Sequence, residues 1–249
     1  MVFLLGMSKG GFPISSIALP LLVLVWPGAV EPAKSAVSFL LPVLCLMDVV
    51  ALLFYRKHVD IKRLVPLLPG SVIGVAVASV FFVARDGAIV DVPDRVLKFL
   101  IGLIGFLFVI YFVFRKWVLK HLAEVSEPGF KQGTGFGVAA GISSTIAHAA
   151  GPVIQMYLLP QRLPKMTFVA TTAIYFLILN QVKLVPFVAF GRIQVENLRL
   201  AAVMIPVIPV GVGVGYVLVR IVKPEHYVGL IYSVLFVTSV ILMAQAVLG

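Results

Sequence analysis

Runs of about twenty apolar residues recur along the chain, each bounded by a short loop carrying Lys or Arg, and no other feature limits the fold so tightly. As helices, such runs match the hydrocarbon thickness of a bilayer. A membrane barrel would instead show strands of about ten residues with alternating polarity. Composition agrees: of 249 residues, 61% are hydrophobic and 12% charged, with a mean hydropathy of +1.12. Soluble domains are roughly 45–50% apolar and about 25% charged. The expected fold is an all-α polytopic membrane protein of about eight hydrophobic helical segments, with the lipid bilayer as partner and no soluble domain.

The formal charge of +10 does not point to nucleic acid, because the basic residues lie in short loops where they set topology. Cys45 is the only cysteine, which excludes a disulfide framework, a CxxC pair and a zinc cluster. No HExxH, GxSxG or Walker sequence occurs, so neither an enzyme nor a cofactor is expected. Any energy the protein needs would come from an ion gradient or a partner protein. Residues 1–26 lack a basic leader and a small-residue cleavage site, so they are not expected to be a removable signal peptide. With five residues before Gly6, the first half-helix is expected to be short or to begin upstream.

Two apolar stretches are broken. Residues 5–13 read Leu-Gly-Met-Ser-Lys-Gly-Gly-Phe-Pro, and residues 133–152 include Gly133, Gly137, Gly141, Ser143, Ser144, Thr145, His148, Gly151 and Pro152. In hydrocarbon an unpaired amide costs several kcal/mol, so glycine, proline and a cation are tolerated at membrane depth only where protein or water faces them. The remaining apolar segments are 33–55, 64–84 and 95–114, then 165–189, 198–222 and 224–248. The two sets correspond. Pro66, Pro69, Gly70 and Gly74 match Pro206, Pro209, Gly211 and Gly215, and Lys34 with Val37 and Ser38 matches Lys165 with Ala170 and Thr171. An internal duplication is expected, with a first transmembrane repeat at 1–117, a polar linker at 118–131 and a second repeat at 132–249.

Loop charges weigh two topologies. If both broken segments cross the membrane, the two sides hold ten and eight Lys or Arg, almost no bias. If both are re-entrant hairpins, Arg162, Lys165, Arg220 and Lys223 join the two basic loops of the first half, giving twelve against six. The second arrangement gives the positive-inside rule a clear answer and places both termini outside the cytoplasm. It also leaves three full spans per half, so the halves run in opposite directions, as in the inverted repeats of many secondary transporters.

In such proteins the substrate site lies near the midplane, where half-helix N-termini point unpaired amides inward and bind anions. Gly10 and Gly11 allow a ligand close to the backbone. Lys9 is either an ion or substrate partner or a lysine that snorkels to the interface. Ser8, Ser143, Ser144 and Thr145 are hydrogen-bond donors or close-packing residues. His148 is a proton-coupling group or a histidine bonded across helices. Asn180 and Lys183 form a second polar group, with snorkelling again open for Lys183. Asp48 is the one carboxylate well inside an apolar run, and it either pairs with a buried lysine or shuttles protons.

The two glycine-rich segments, residues 6–12 leading to Ala18-Leu19-Pro20 and residues 137–141 leading to Gly151-Pro152, resemble those of the TauE/SafE family of sulfite exporters. The likeness extends through Pro32-Ala33-Lys34-Ser35-Ala36, the basic loop with Asp60, and Pro69-Gly70 with Gly74, covering nearly the whole chain. It implies a secondary membrane transporter for a small anion such as sulfite or an organosulfonate. A bacterial inner membrane and a coupling proton or sodium ion come with that reading. Phe12, Pro13 and Ile14 interrupt the family's glycine run, and Ser143-Ser144-Thr145 replace glycines, which leaves the particular anion open. The alternative is a non-transporting scaffold or assembly factor whose breaks serve helix packing alone.

Overall fold

A computed structural model describes residues 2–9, 15–27, 31–55, 59–82, 92–123, 128–193, 195–221 and 228–248. Among them the chain is helical throughout, without strands. The helices are α1 (Val2–Lys9), α2 (Ser15–Leu24), α3 (Pro32–Tyr55), α4 (Leu67–Ser79), α5 (Asp94–Ala123), α6 (Phe130–Ala147), α7 (Gly151–Leu158), α8 (Lys165–Ala189), α9 (Val195–Val203), α10 (Val207–Ile221) and α11 (Val228–Leu248). Four of these, α3, α5, α8 and α11, are long and apolar enough to cross a membrane. The apolar window of α3 is 72% buried and those of α5 and α11 are 28% buried, so α3 is the central post and the other two face outward.

Three boundaries depart from the sequence expectation. The segment 198–222 is two helices, because Pro206 has no N–H to continue α9 and residues 204–208 close with tighter turns, such as Val207 N–H to the Met204 carbonyl. Residues 64–66 make the equivalent turn before α4, again ending at a proline, Pro66. At its far end α5 continues to Ala123, so the start of the polar stretch after Arg115 is helical.

The second break is a fold-back. His148 ends α6 in the left-handed region (φ 49°), and α7 starts at Gly151 with Pro152 in its first turn, where a missing N–H is harmless. The Phe136 ring near the start of α6 lies 5.6 Å from the Tyr157 ring near the end of α7, so the two helices run back alongside each other. In the first break α1 packs on α2, while residues 10–14 lie outside the described residues.

Two glycine seams hold these pieces. Gly70 and Gly74 of α4 face Thr134 and Val138 of α6, while Gly137 and Gly141 of α6 face Leu67 and Ser71 of α4. On the other side Gly211 and Gly215 of α10 face Phe3 and Met7 of α1, and Gly6 faces Gly211. Each seam uses Gly-x-x-x-Gly spacing, which lets backbones approach where lipid gives helices no hydrophobic drive to associate. The opposite flank is an antiparallel pair: Gly105 of α5 meets Ser239 of α11, and the Phe112 ring stacks on Tyr232 at 3.9 Å.

The two ends of α3 and α8 are tied in an antiparallel sense. At one end the Asp94 carboxylate accepts the N–H groups of Ala33 (3.2 Å) and Lys34 (3.0 Å), capping the first turn of α3 from the start of α5. Beside it Glu31 accepts from Lys34 Nζ (2.6 Å) and from Arg192 Nη1 (3.0 Å), and Arg192 Nε donates to the Phe82 carbonyl (2.7 Å). Burial raises the Glu31 pKa, but its hydrogen bonds to Lys34 and Arg192 and their positive charges outweigh burial and hold it below the ordinary value. At the other end the Asp60 N–H donates to Thr171 Oγ1 (3.0 Å) near the start of α8.

The seams make a direct prediction. A Cβ at Gly137 would run into the Leu67 carbonyl and come within 2.9 Å of the Ser71 amide, whereas one at Gly135 meets nothing within 4 Å. Gly137→Ala is expected to lower stability by about 1–3 kcal/mol and Gly135→Ala to change it by less than about 0.5 kcal/mol. Unfolding of the two variants in the same detergent checks this; equal midpoints would contradict it.

Candidate functional site

Five polar residues inside this apolar body, Asp48, Asn180, Lys183, Ser144 and His148, meet at the seam between α3 and α8. Asn180 and Lys183 are three residues apart on α8 and so share a face. Asp48, on α3, is fully buried, and its carboxylate receives Lys9 Nζ from the C-terminal end of α1 and Asn180 Nδ2 from α8. Three helices from both halves of the chain thus meet on one carboxylate. Lys9 also lies 4.8 Å over the Phe176 ring of α8, a second source of stabilisation for its charge. Its side chain is 16% exposed. The Lys9 ammonium is turned inward onto Asp48.

Lys183 is fully buried and has different partners. Its ammonium donates to Ser144 Oγ (2.9 Å), to the Ser144 carbonyl (3.3 Å) and to His148 Nδ1 (3.0 Å). Those three bonds use all three ammonium hydrogens, and every acceptor is neutral. His148 Nε2 lies 2.9 Å from the Val37 carbonyl of α3. A carbonyl only accepts, so Nε2 carries the hydrogen and Nδ1 offers the lone pair that Lys183 uses. The left-handed backbone at His148 is uncommon outside glycine, and it aims the ring from the end of α6 across to both α3 and α8.

The remaining candidates are placed differently from one another. Ser143 and Thr145 are buried, but their hydroxyls bond back to the Ala139 and Gly141 carbonyls of their own helix at 2.8 Å. In this arrangement those two hydroxyl hydrogens are spoken for. Ser144 Oγ accepts from Lys183, which leaves its own hydrogen for another acceptor. Ser8 is partly buried, one residue before Lys9 in α1. Gly10 and Gly11 lie outside the described residues. The group Glu31, Asp94 and Arg192 was not singled out from sequence. Its signal was present as acidic and basic residues next to the ends of α3, α5 and α8, but such residues usually belong to solvated loops.

Breaking a buried pair by removing one partner leaves an uncompensated charge, typically at a cost of about 3–5 kcal/mol. Asp48→Ala is therefore expected to destabilise the protein on that scale, and the double replacement Lys9→Met with Asp48→Leu to cost clearly less. Thermal unfolding of the purified variants reads the difference. A single variant as stable as the parent would remove Asp48 from this role.

A family model described as the sulfite exporter TauE/SafE family matches residues 1–242, essentially the whole chain. The chain belongs to that family, which is one of membrane transporters and not of enzymes. No curated protein and no solved structure matches the chain.

Proposed function

We propose that this member of the TauE/SafE family is a secondary transporter, a permease, for a small sulfur-containing anion such as sulfite or an organosulfonate. Its site lies near the bilayer midplane, between the two broken helix pairs. The observation that carries the reading is Lys183: a fully buried ammonium whose described partners are all neutral. Lysine in an apolar interior is costly, and a structural lysine there would be matched by a carboxylate, as Lys9 is by Asp48. Ser144, with its hydroxyl hydrogen unassigned, adds a donor at the same place. Asn180 and Lys9 meet on Asp48 in the same seam; Gly10 and Gly11, which belong to the proposed set, lie outside the described residues. Asp48 and His148 are the groups through which a proton or sodium ion would be coupled.

The architecture belongs to the same proposal. Residues 1–117 and 132–249 form two repeats of opposite orientation joined at 118–131, each opening on a re-entrant pair, α1 with α2 and α6 with α7. Support comes from the pairing of elements: α4 packs on α6 as α10 packs on α1, with glycines in the same register. One ion pair and two hydrogen bonds at the helix ends favour the re-entrant topology over the spanning one. Arg192 meets Glu31 and the Phe82 carbonyl, and Asp60 meets Thr171, contacts that the spanning topology would place on opposite faces of the membrane. In a bacterial inner membrane the basic loops around residues 56–63 and 115–131 then face the cytoplasm.

Two outcomes are expected. In proteoliposomes under an imposed ion gradient, Lys183→Ala lowers flux of labelled sulfite about tenfold or more, the loss of a charged contact of roughly 1.5–3 kcal/mol. Size-exclusion behaviour of the variant shows whether it folds, and a folded variant with unchanged flux would refute the site. For topology, a C-terminal reporter active only in the cytoplasm stays dark, and strong signal from it would reject the arrangement.

A further inference from the structure

The charge that a ligand brings to this site follows from the charges already there, given the anion site proposed above. Around the α3–α8 seam the titratable side chains among the described residues are Lys9 from α1, Asp48 and the buried Cys45 one turn away on α3, Lys183 and Tyr175 from α8, the latter with its hydroxyl bonded to Ser71, and His148 at the end of α6. Otherwise α6 presents the hydroxyls of Ser143, Ser144 and Thr145, and residues 10–14 contain no ionisable side chain. Lys9 and Asp48 neutralise each other, and Lys183 leaves one positive charge in excess. In a low-dielectric interior an uncompensated charge is expensive, so the favoured loaded state is the neutral one.

We infer that the site takes a monoanion, and that a dianion is accepted only together with one proton carried on His148. A monoanion matches the excess charge of Lys183 by itself. A dianion exceeds it by one, and His148 is the neutral base placed to correct the difference. Its Nε2 hydrogen is held by the Val37 carbonyl, so the open position is Nδ1, which now accepts from Lys183 at 3.0 Å. A proton from water on Nδ1 converts that acceptor into a donor, and the Lys183–His148 bond must open. Both groups then turn N–H donors toward the same point, two positive charges for two negative ones. Ser144 keeps Lys183 in place during the change through its hydroxyl and carbonyl oxygens.

The test uses isothermal titration calorimetry on the purified full-length chain in detergent, at roughly pH 6 and pH 8, the window in which histidine titrates. Methanesulfonate is a monoanion at both values, sulfate a dianion at both, and sulfite changes from one to the other between them. Methanesulfonate is expected to bind equally at the two values. Sulfate is expected to gain about tenfold in affinity per pH unit as pH falls, the slope for uptake of one proton, with buffers of different ionisation heat reporting that proton directly. In His148→Asn the ratio of sulfate affinities at the two pH values falls to about one, whatever the absolute affinity. Sulfate binding without proton uptake, or a pH ratio that persists in His148→Asn, overturns the inference while leaving the anion site standing. If no anion binds at either value, the anion site falls and this inference with it.

Discussion

The buried carboxylate of Asp48 is the interaction on which the rest of the structure depends. A charge with no access to water must be met by hydrogen-bond donors, and in this fold no single helix supplies them. Lys9 comes from α1, Asn180 from α8, and Asp48 itself from α3. Satisfying one group therefore fixes the relative positions of three helices drawn from both halves of the chain. The same demand explains why α3 is the most buried of the long helices. It carries the carboxylate at one level and, eleven residues earlier, the Val37 carbonyl that holds His148.

Hydrophobic burial cannot do this positioning in a membrane, because lipid tails are as apolar as the side chains they would replace. Close backbone packing does it instead. The α4–α6 and α1–α10 seams exclude side chains at Gly70, Gly74, Gly137, Gly141, Gly211 and Gly215, so each pair can seat in only one register. Both seams lead to the buried polar cluster: α1 ends on Lys9, and the last turn of α6 carries Ser144 and leads to His148. These polar residues sit at the ends of two helices whose depth is set by glycine contacts further along their length.

Much of this was legible in the sequence. Long apolar runs dictate spanning helices, and the order of Gly and Pro matches between the halves anticipates the paired seams. Asp48 and a buried lysine were named as possible partners because a lone carboxylate inside an apolar run has few alternatives. Three things were not legible. The pairing of Lys183 with His148 depends on a left-handed residue at position 148, and nothing in Ala147-His148-Ala149 announces that turn. The split of 198–222 rests on Pro206, but proline inside membrane helices is common, and Pro42 and Pro186 interrupt neither α3 nor α8. The cap that Asp94 places on α3 joins residues sixty apart, a contact that no local pattern encodes.

The two lysines show why position along the chain is a poor guide to role. Lys9 looked the sharper signal, standing among glycines near the start, yet its charge is already matched by Asp48 and shared with the Phe176 ring. Lys183 looked like a residue near the end of a long helix that could reach the interface. In the folded protein α8 continues past it to Ala189, and Phe187, one turn further on, is itself fully buried against Phe82 at 4.7 Å between ring centroids. With that aromatic contact closing the way toward the Glu31–Arg192 end, the Lys183 ammonium cannot snorkel and turns inward to Ser144 and His148. A cation kept from water and given only neutral acceptors is the feature on which the proposed anion site rests.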